Sequence, residues 1–135
     1  MADRAALARF LLYVTVGAAG TALHYALLVA LVSLHWLAPA PASVLGALAG
    51  ATLNFVLNAR FTFRRHGHDH LAWRSAVRFF ATAALAALAN GVLMALLLRH
   101  GAIDYRIAQV LVTALLLGLT FAVNAAWTFG PRTPS

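Results

Sequence analysis

The stretch Asn54-Phe55-Val56-Leu57-Asn58-Ala59-Arg60-Phe61-Thr62-Phe63 closes a long apolar run. A related stretch, Thr120-Phe121-Ala122-Val123-Asn124-Ala125-Ala126-Trp127-Thr128-Phe129, closes another near the end of the chain. An amide held in hydrocarbon costs free energy unless something hydrogen-bonds to it. Two matched polar clusters at the same end of two apolar helices therefore point to an internal duplication. They also point to a buried polar site near one face of a membrane.

The composition agrees with a membrane as the surrounding solvent. The 135 residues are 63% hydrophobic and only 10% charged, too little polar surface to cover a soluble core. The chain reads as one integral membrane domain, residues 1–135. It has no Cys, hence no disulfide and no redox signal. The formal net charge is +7, and with no Lys in the sequence every positive side chain at neutral pH is Arg. In a soluble protein that excess would suggest nucleic acid. Here the arginines flank apolar runs, so topology and contact with anionic lipid headgroups are the better reading, with no nucleic acid expected. The first apolar run is too long for a signal-peptide core and lacks a small-residue cleavage pattern.

A spanning helix needs about 20 apolar residues. The sequence predicts four, at about 10–34, 42–59, 79–98 and 107–129, separated by Pro39 and Pro41, by a polar stretch at 60–74, and by a short segment at 99–106. Pro41 suits a first helical turn, where its missing N–H is not needed. Arg4, Arg9, Arg60, Arg64, Arg65, Arg74, Arg78 and Arg132 fall on one side of this arrangement, and only Arg99 and Arg106 on the other. The expected orientation therefore places both termini and the central loop in the cytoplasm. Phe61, Phe63, Trp73, Trp127 and Phe129 suit that interface, and Trp36 and Tyr105 the opposite one.

The repeat reads as two helical hairpins of the same orientation, related by an axis along the membrane normal. Asn58 aligns with Asn124, Phe61 with Trp127, Thr62 with Thr128 and Phe63 with Phe129. Arg9-Phe10 before the first helix resembles Arg78-Phe79 before the third. Gly46, Gly50, Asn54 and Asn58 follow one another at i+4, so they share a helix face. The glycines admit a close helix, and the two amides are placed to hydrogen-bond across the contact. Thr120 and Asn124 hold the matching places in the fourth helix.

The candidate substrate-binding set is Asn54, Asn58, Arg60, Thr120 and Asn124, with Arg9 and Arg78. Arginine forks match phosphate oxygens. The competing reading makes the amides packing glue and the arginines simple anchors, and for any single arginine that reading is the better one. His24 lies mid-membrane and is expected to be neutral and hydrogen-bonded to a neighbouring helix. Asn90 and Gln109 are expected to be interhelical hydrogen-bonding groups. His66, His68, His70 and Asp69 read as a solvated loop, and no metal or cofactor is expected. There is no Walker motif, no zinc spacing and no nucleophile elbow, and Asp3, Asp69 and Asp104 all lie outside the spans. No enzyme is expected, and the missing intramembrane acid argues against a proton-coupled exporter.

Arg9-Phe10, the Gly17-x-x-x-Thr21 region, Asn54-Phe55-x-x-Asn58-x-Arg60-Phe61-x-Phe63, Arg78-Phe79 and Asn124-x-x-Trp127-x-Phe129, taken in order, resemble the GtrA-like family of small four-helix membrane proteins. The resemblance spans residues 9–130. It implies translocation of a polyprenyl-phosphate-linked monosaccharide across the bacterial cytoplasmic membrane for cell-surface polysaccharide synthesis. The alternative is a scaffold for the glycosyltransferase that makes such a lipid. The partners it implies are the lipid-linked sugar, membrane lipid and a glycosyltransferase, and the thin four-helix wall suggests a homodimer. Two places depart from the family pattern: Ala126 stands where a basic residue would match Arg60, and His24 where an acidic or amide residue is usual.

Overall fold

A proline-free run rich in Ala and Leu propagates the first helix far beyond its apolar part. In the computed structural model, α1 spans Ala2–Ser33, α2 Pro39–Thr62, α3 Asp69–His100 and α4 Tyr105–Phe129. The structure describes residues 2–62 and 69–129, and within these it leaves out the side chains of 2, 9, 62, 69–72, 120, 121 and 123–129. Phe63 and the His66–His68 part of the polar stretch lie outside the described residues.

The helix bounds differ from the sequence expectation in ways that have local causes. α1 begins at Ala2 rather than near 10, because Ala5, Ala6, Leu7 and Ala8 are helix formers whether or not lipid surrounds them. It ends at Ser33, where His35 takes a left-handed φ of 58°. The His35 N–H then donates to the Val32 carbonyl at 3.0 Å and the Trp36 N–H to the Leu31 carbonyl at 3.0 Å, which caps the helix. α2 opens at Pro39, so both Pro39 and Pro41 fall in its first turn, and it continues three residues past Ala59. α3 starts at Asp69, so the expectation of a polar break reaching residue 74 is corrected. Helical hydrogen bonding needs no apolar residues, and Trp73, Arg74 and Arg78 continue the same helix. α4 starts at Tyr105 rather than Ile107 because Asp104 caps it, its Oδ1 accepting from the Arg106 N–H at 2.8 Å.

Three of the helices are long and apolar enough to cross a membrane: Asp3–Ser33, Pro39–Phe61 and Trp73–His100. The fourth contributes a shorter apolar stretch over its described side chains, Tyr105–Leu119. Large side chains such as Leu85, Leu117 and Leu119 are more than half exposed, a surface suited to lipid rather than water. In lipid, helices associate through close backbone approach and polar contacts, because apolar side chains gain little by leaving one hydrocarbon for another.

Both devices are present. α1 packs on α2, α2 on α3, and α3 on α4. At the first seam a Cβ added to Gly46 would lie 2.7 Å from the His24 carbonyl oxygen, and one added to Gly50 would lie 2.5 Å from that of Gly20. The expected close approach at Gly46 and Gly50 is therefore real, and its partner is α1. Gly91 of α3 likewise leaves room for Val44 of α2. The core consists of Leu28, Ala42, Met94 and Ala108, one from each helix. Leu28 and Met94 are 66 positions apart, and so are Ala42 and Ala108.

Candidate functional site

The polar side chains inside this bundle sit at two levels. The first joins all four helices. Ser43 of α2 and Gln109 of α4 are wholly buried, and Asn90 of α3 is 4% exposed. Ser43 Oγ donates to Gln109 Oε1 and accepts from Asn90 Nδ2. Gln109 Nε2 donates to Asn90 Oδ1 at 2.9 Å and lies 3.2 Å from Thr113 Oγ1. Tyr25 of α1 reaches Thr113 Oγ1 at 2.7 Å, and His24 Nε2 stands 3.4 Å from Ser43 Oγ. Serine has a single hydroxyl proton, and Gln109 takes it, so His24 Nε2 must be the donor to Ser43. That leaves Nδ1 of a neutral His24 as an acceptor. The expected roles of His24, Asn90 and Gln109 as interhelical hydrogen-bonding groups hold, and the three belong to one network.

Below this level lies a cavity of about 250 Å³. Its end wall is formed by His24, Asn90 and Thr113, and its sides are largely alanine, including Ala51 of α2 and Ala83 and Ala86 of α3. Leu116 and Leu117 of α4 complete it. Alanine leaves the volume unfilled, and the rim residues Ala86 and Leu117 are exposed, so the cavity meets the lipid. No Arg or Asp lines it.

The second polar level is nearer the arginine-rich end. Asn54 follows Ser43 by 11 residues on α2, about 16 Å at 1.5 Å per residue. Its Oδ1 is buried and has no hydrogen-bond partner among the described residues. The expectation that Asn54 hydrogen-bonds across the helix contact is corrected at this atom. Gly20 of α1, which faces the amide, offers no side chain to donate. Asn58 is half-buried one turn further on, and Arg60 is exposed in the last turn. Phe55 packs against Phe79 and Phe80 of α3, with ring centroids 5.2 and 5.1 Å away, and joins the two helices at this depth. Arg78 is exposed beside that cluster. The sequence therefore brings Asn54 and Asn58 into the bundle and leaves Arg60 and Arg78 at its rim. Arg9, Thr120 and Asn124 have helical backbones, and their side chains lie outside the described residues. Among the described residues, no group of three or more metal-binding side chains comes together.

Residues 12–129 match the family described as the GtrA/DPMS transmembrane domain. The chain belongs to that family. No curated protein and no solved structure gives a significant match. The GtrA family is associated with translocation of polyprenyl-linked sugars, and its members are generally non-catalytic transport proteins.

Sequence reasoning did not find Ser43, Tyr25 or Thr113 in this GtrA-family domain. A lone Ser or Thr in an apolar helix satisfies itself on its own backbone, as Thr113 does with the Gln109 carbonyl at 2.9 Å. One signal was available. Ser43 stands 66 positions before Gln109, and His24 66 before Asn90, the separation that also relates Asn58 to Asn124.

Proposed function

We propose that this GtrA-family domain translocates a polyprenyl-phosphate-linked monosaccharide across the bacterial cytoplasmic membrane, without catalysis. The observation that carries this reading is the cavity lined by all four helices and open at its rim, with hydrogen-bonding groups at its end. Moving such a lipid is costly chiefly because its headgroup must shed water. Asn54 Oδ1 lacks a donor, and a buried acceptor in that state costs about 1–3 kcal/mol. Arg60 and Arg78, with Arg9, are proposed to gather the phosphate at the cytoplasmic face, and Asn54, Asn58, Thr120 and Asn124 to replace water around the headgroup. The apolar tail stays in lipid. Flux follows the gradient set by consumption of the sugar outside. The domain is expected to act as a homodimer and beside a glycosyltransferase.

The experiment is reconstitution into vesicles with a polyprenyl-phosphate-linked glucose carrying a labelled sugar and no transferase present. Exchange of label between leaflets at a rate proportional to protein is the expected result. Label confined to one leaflet would sink the translocator and favour a scaffold.

A further inference from the structure

The 66-residue correspondence relates three pairs in the cavity wall: His24 with Asn90, Ala47 with Thr113, and Ala51 with Leu117. The cavity thus straddles the place where two similar hairpins meet. Its remaining wall shows where the hairpins differ. In the first, Gly20 and Gly50 bring α1 and α2 into backbone contact, and Gly46 does the same one turn away. Their counterparts in the second are Ala86, Leu116 and Val112. None of the three is glycine, so the backbone contact is not repeated, and Ala86 and Leu116 line the cavity while Val112 stays buried above it. The seam is closed along the whole of the first hairpin, and in the second it opens only below the Gln109–Asn90 hydrogen bond.

We propose that the seam between α3 and α4 is a port through which the uncharged, hydroxyl-rich part of a lipid headgroup enters from the bilayer. His24, Asn90 and Thr113 at the closed end form its binding subsite. This rests on the translocator reading given above. The chemistry of the wall selects the occupant. With no cation lining it, the cavity has nothing to hold a phosphate. An acyl chain would lay methylenes against three polar side chains, leaving them without added partners. A sugar ring offers hydroxyls that both donate and accept, which suits His24 Nδ1 as an acceptor and the second Nδ2 proton of Asn90 as a donor, Thr113 lending polarity beside them. Arg78 lies five residues from Ala83, about 7.5 Å along α3. A phosphate at the depth of Arg78 therefore leaves an attached sugar level with the lower end of the cavity.

The test uses the natural absence of cysteine. Ala86→Cys places a thiol in the port, and Leu88→Cys places one two residues on, at a site 57% exposed. The cysteine thiolate attacks a methanethiosulfonate, forming a mixed disulfide and releasing methanesulfinate, and the thiolate forms only where water reaches. In reconstituted full-length protein, Ala86→Cys should react with a small charged methanethiosulfonate at least about tenfold faster than Leu88→Cys, as one lowered pKa unit would give. Equal rates overturn the port, whatever the flux shows. The second arm compares Ala83→Leu with Gly17→Leu, its counterpart in α1, where an added Cβ meets nothing within 4 Å. Ala83→Leu should cut initial flux of the labelled polyprenyl-phosphate glucose about tenfold, and Gly17→Leu should leave it within about twofold, against a folded-protein measure. Equal flux in the two variants also overturns the port. Should Ala83→Leu not fold, bulky modification of Ala86→Cys after reconstitution blocks the same space in folded protein, and unchanged flux there is again fatal. Fast reaction at Ala86→Cys without any wild-type flux supports the port and removes the translocator reading.

Discussion

At the scale of single residues, the two levels of polar side chains make opposite predictions. Ser43, Asn90 and Gln109 are buried and satisfy one another. Gln109→Leu would leave Ser43 and Asn90 short of partners in a place water does not reach. Interhelical hydrogen bonds in membranes average about 0.6 kcal/mol, but orphaning buried groups costs about 1–3 kcal/mol. Gln109→Leu should therefore lower stability by about 2 kcal/mol, read as a fall in the unfolding midpoint in detergent. Asn58→Leu belongs to the other level. With no hydrogen bond to its side chain among the described residues, it should cost less than about 1 kcal/mol and yet abolish flux in vesicles. A loss of folded protein matching the loss of flux would return Asn58 to a packing role. The sequence showed Asn54 and Asn58 readily, because an amide among Leu, Val and Phe is conspicuous. It hid Ser43 and Thr113 because a hydroxyl in a helix has its own backbone to bond. It also placed Asn54 in a hydrogen bond that its actual neighbour, Gly20, has no side chain to supply.

At the scale of elements, the four helices were legible because long apolar runs admit few alternatives, and Pro39 with Pro41 marks a break plainly. Their ends were less so. Hydropathy reports the solvent, whereas capping decides where a helix stops, and the caps here are His35 and Asp104. His35 holds a left-handed φ without being glycine, a strain of about 1 kcal/mol. His35→Gly should relieve it and raise the detergent unfolding midpoint, and a lowered midpoint would show that the imidazole makes a contact worth more. The α1–α2 seam supports a sharper expectation. Gly50→Ala puts a methyl against the Gly20 carbonyl oxygen, backbone that cannot swing aside. The cost should be about 1–3 kcal/mol, with Gly46→Ala similar against the His24 carbonyl oxygen. Gly17→Ala, in open space, should be neutral or slightly stabilising through helix propensity. Equal stability across the three variants, measured by chemical unfolding in mixed micelles, would mean that the helices do not approach as described.

At the scale of the whole molecule, the similar hairpins perform different work. One is locked by Gly20, Gly46 and Gly50, and the other is tied to it through Gln109 and Thr113 while its seam opens only below Gln109. Direction across the membrane is set by charge. Among the described residues, Arg4, Arg9, Arg60, Arg74 and Arg78 belong to the helix ends on the side of Asn54 and Asn58, and Arg99 and Arg106 to those nearer Ser43 and Gln109; by sequence Arg64, Arg65 and Arg132 are expected to add to the first group. Each arginine carried to the outside opposes the insertion bias, so an imbalance this large should fix one orientation. Both hairpins would then begin and end in the cytoplasm, placing the arginines where lipid-linked sugars are made and the Ser43 network towards the outer leaflet. A single cysteine at Gly67 should resist an impermeant maleimide in intact cells and react once the membrane is opened. One at Ala102 should react in intact cells. The opposite pattern would reverse the membrane sides of the two polar levels. Arg60 and Arg78 would then face the compartment from which the sugar is consumed rather than the one in which it is supplied.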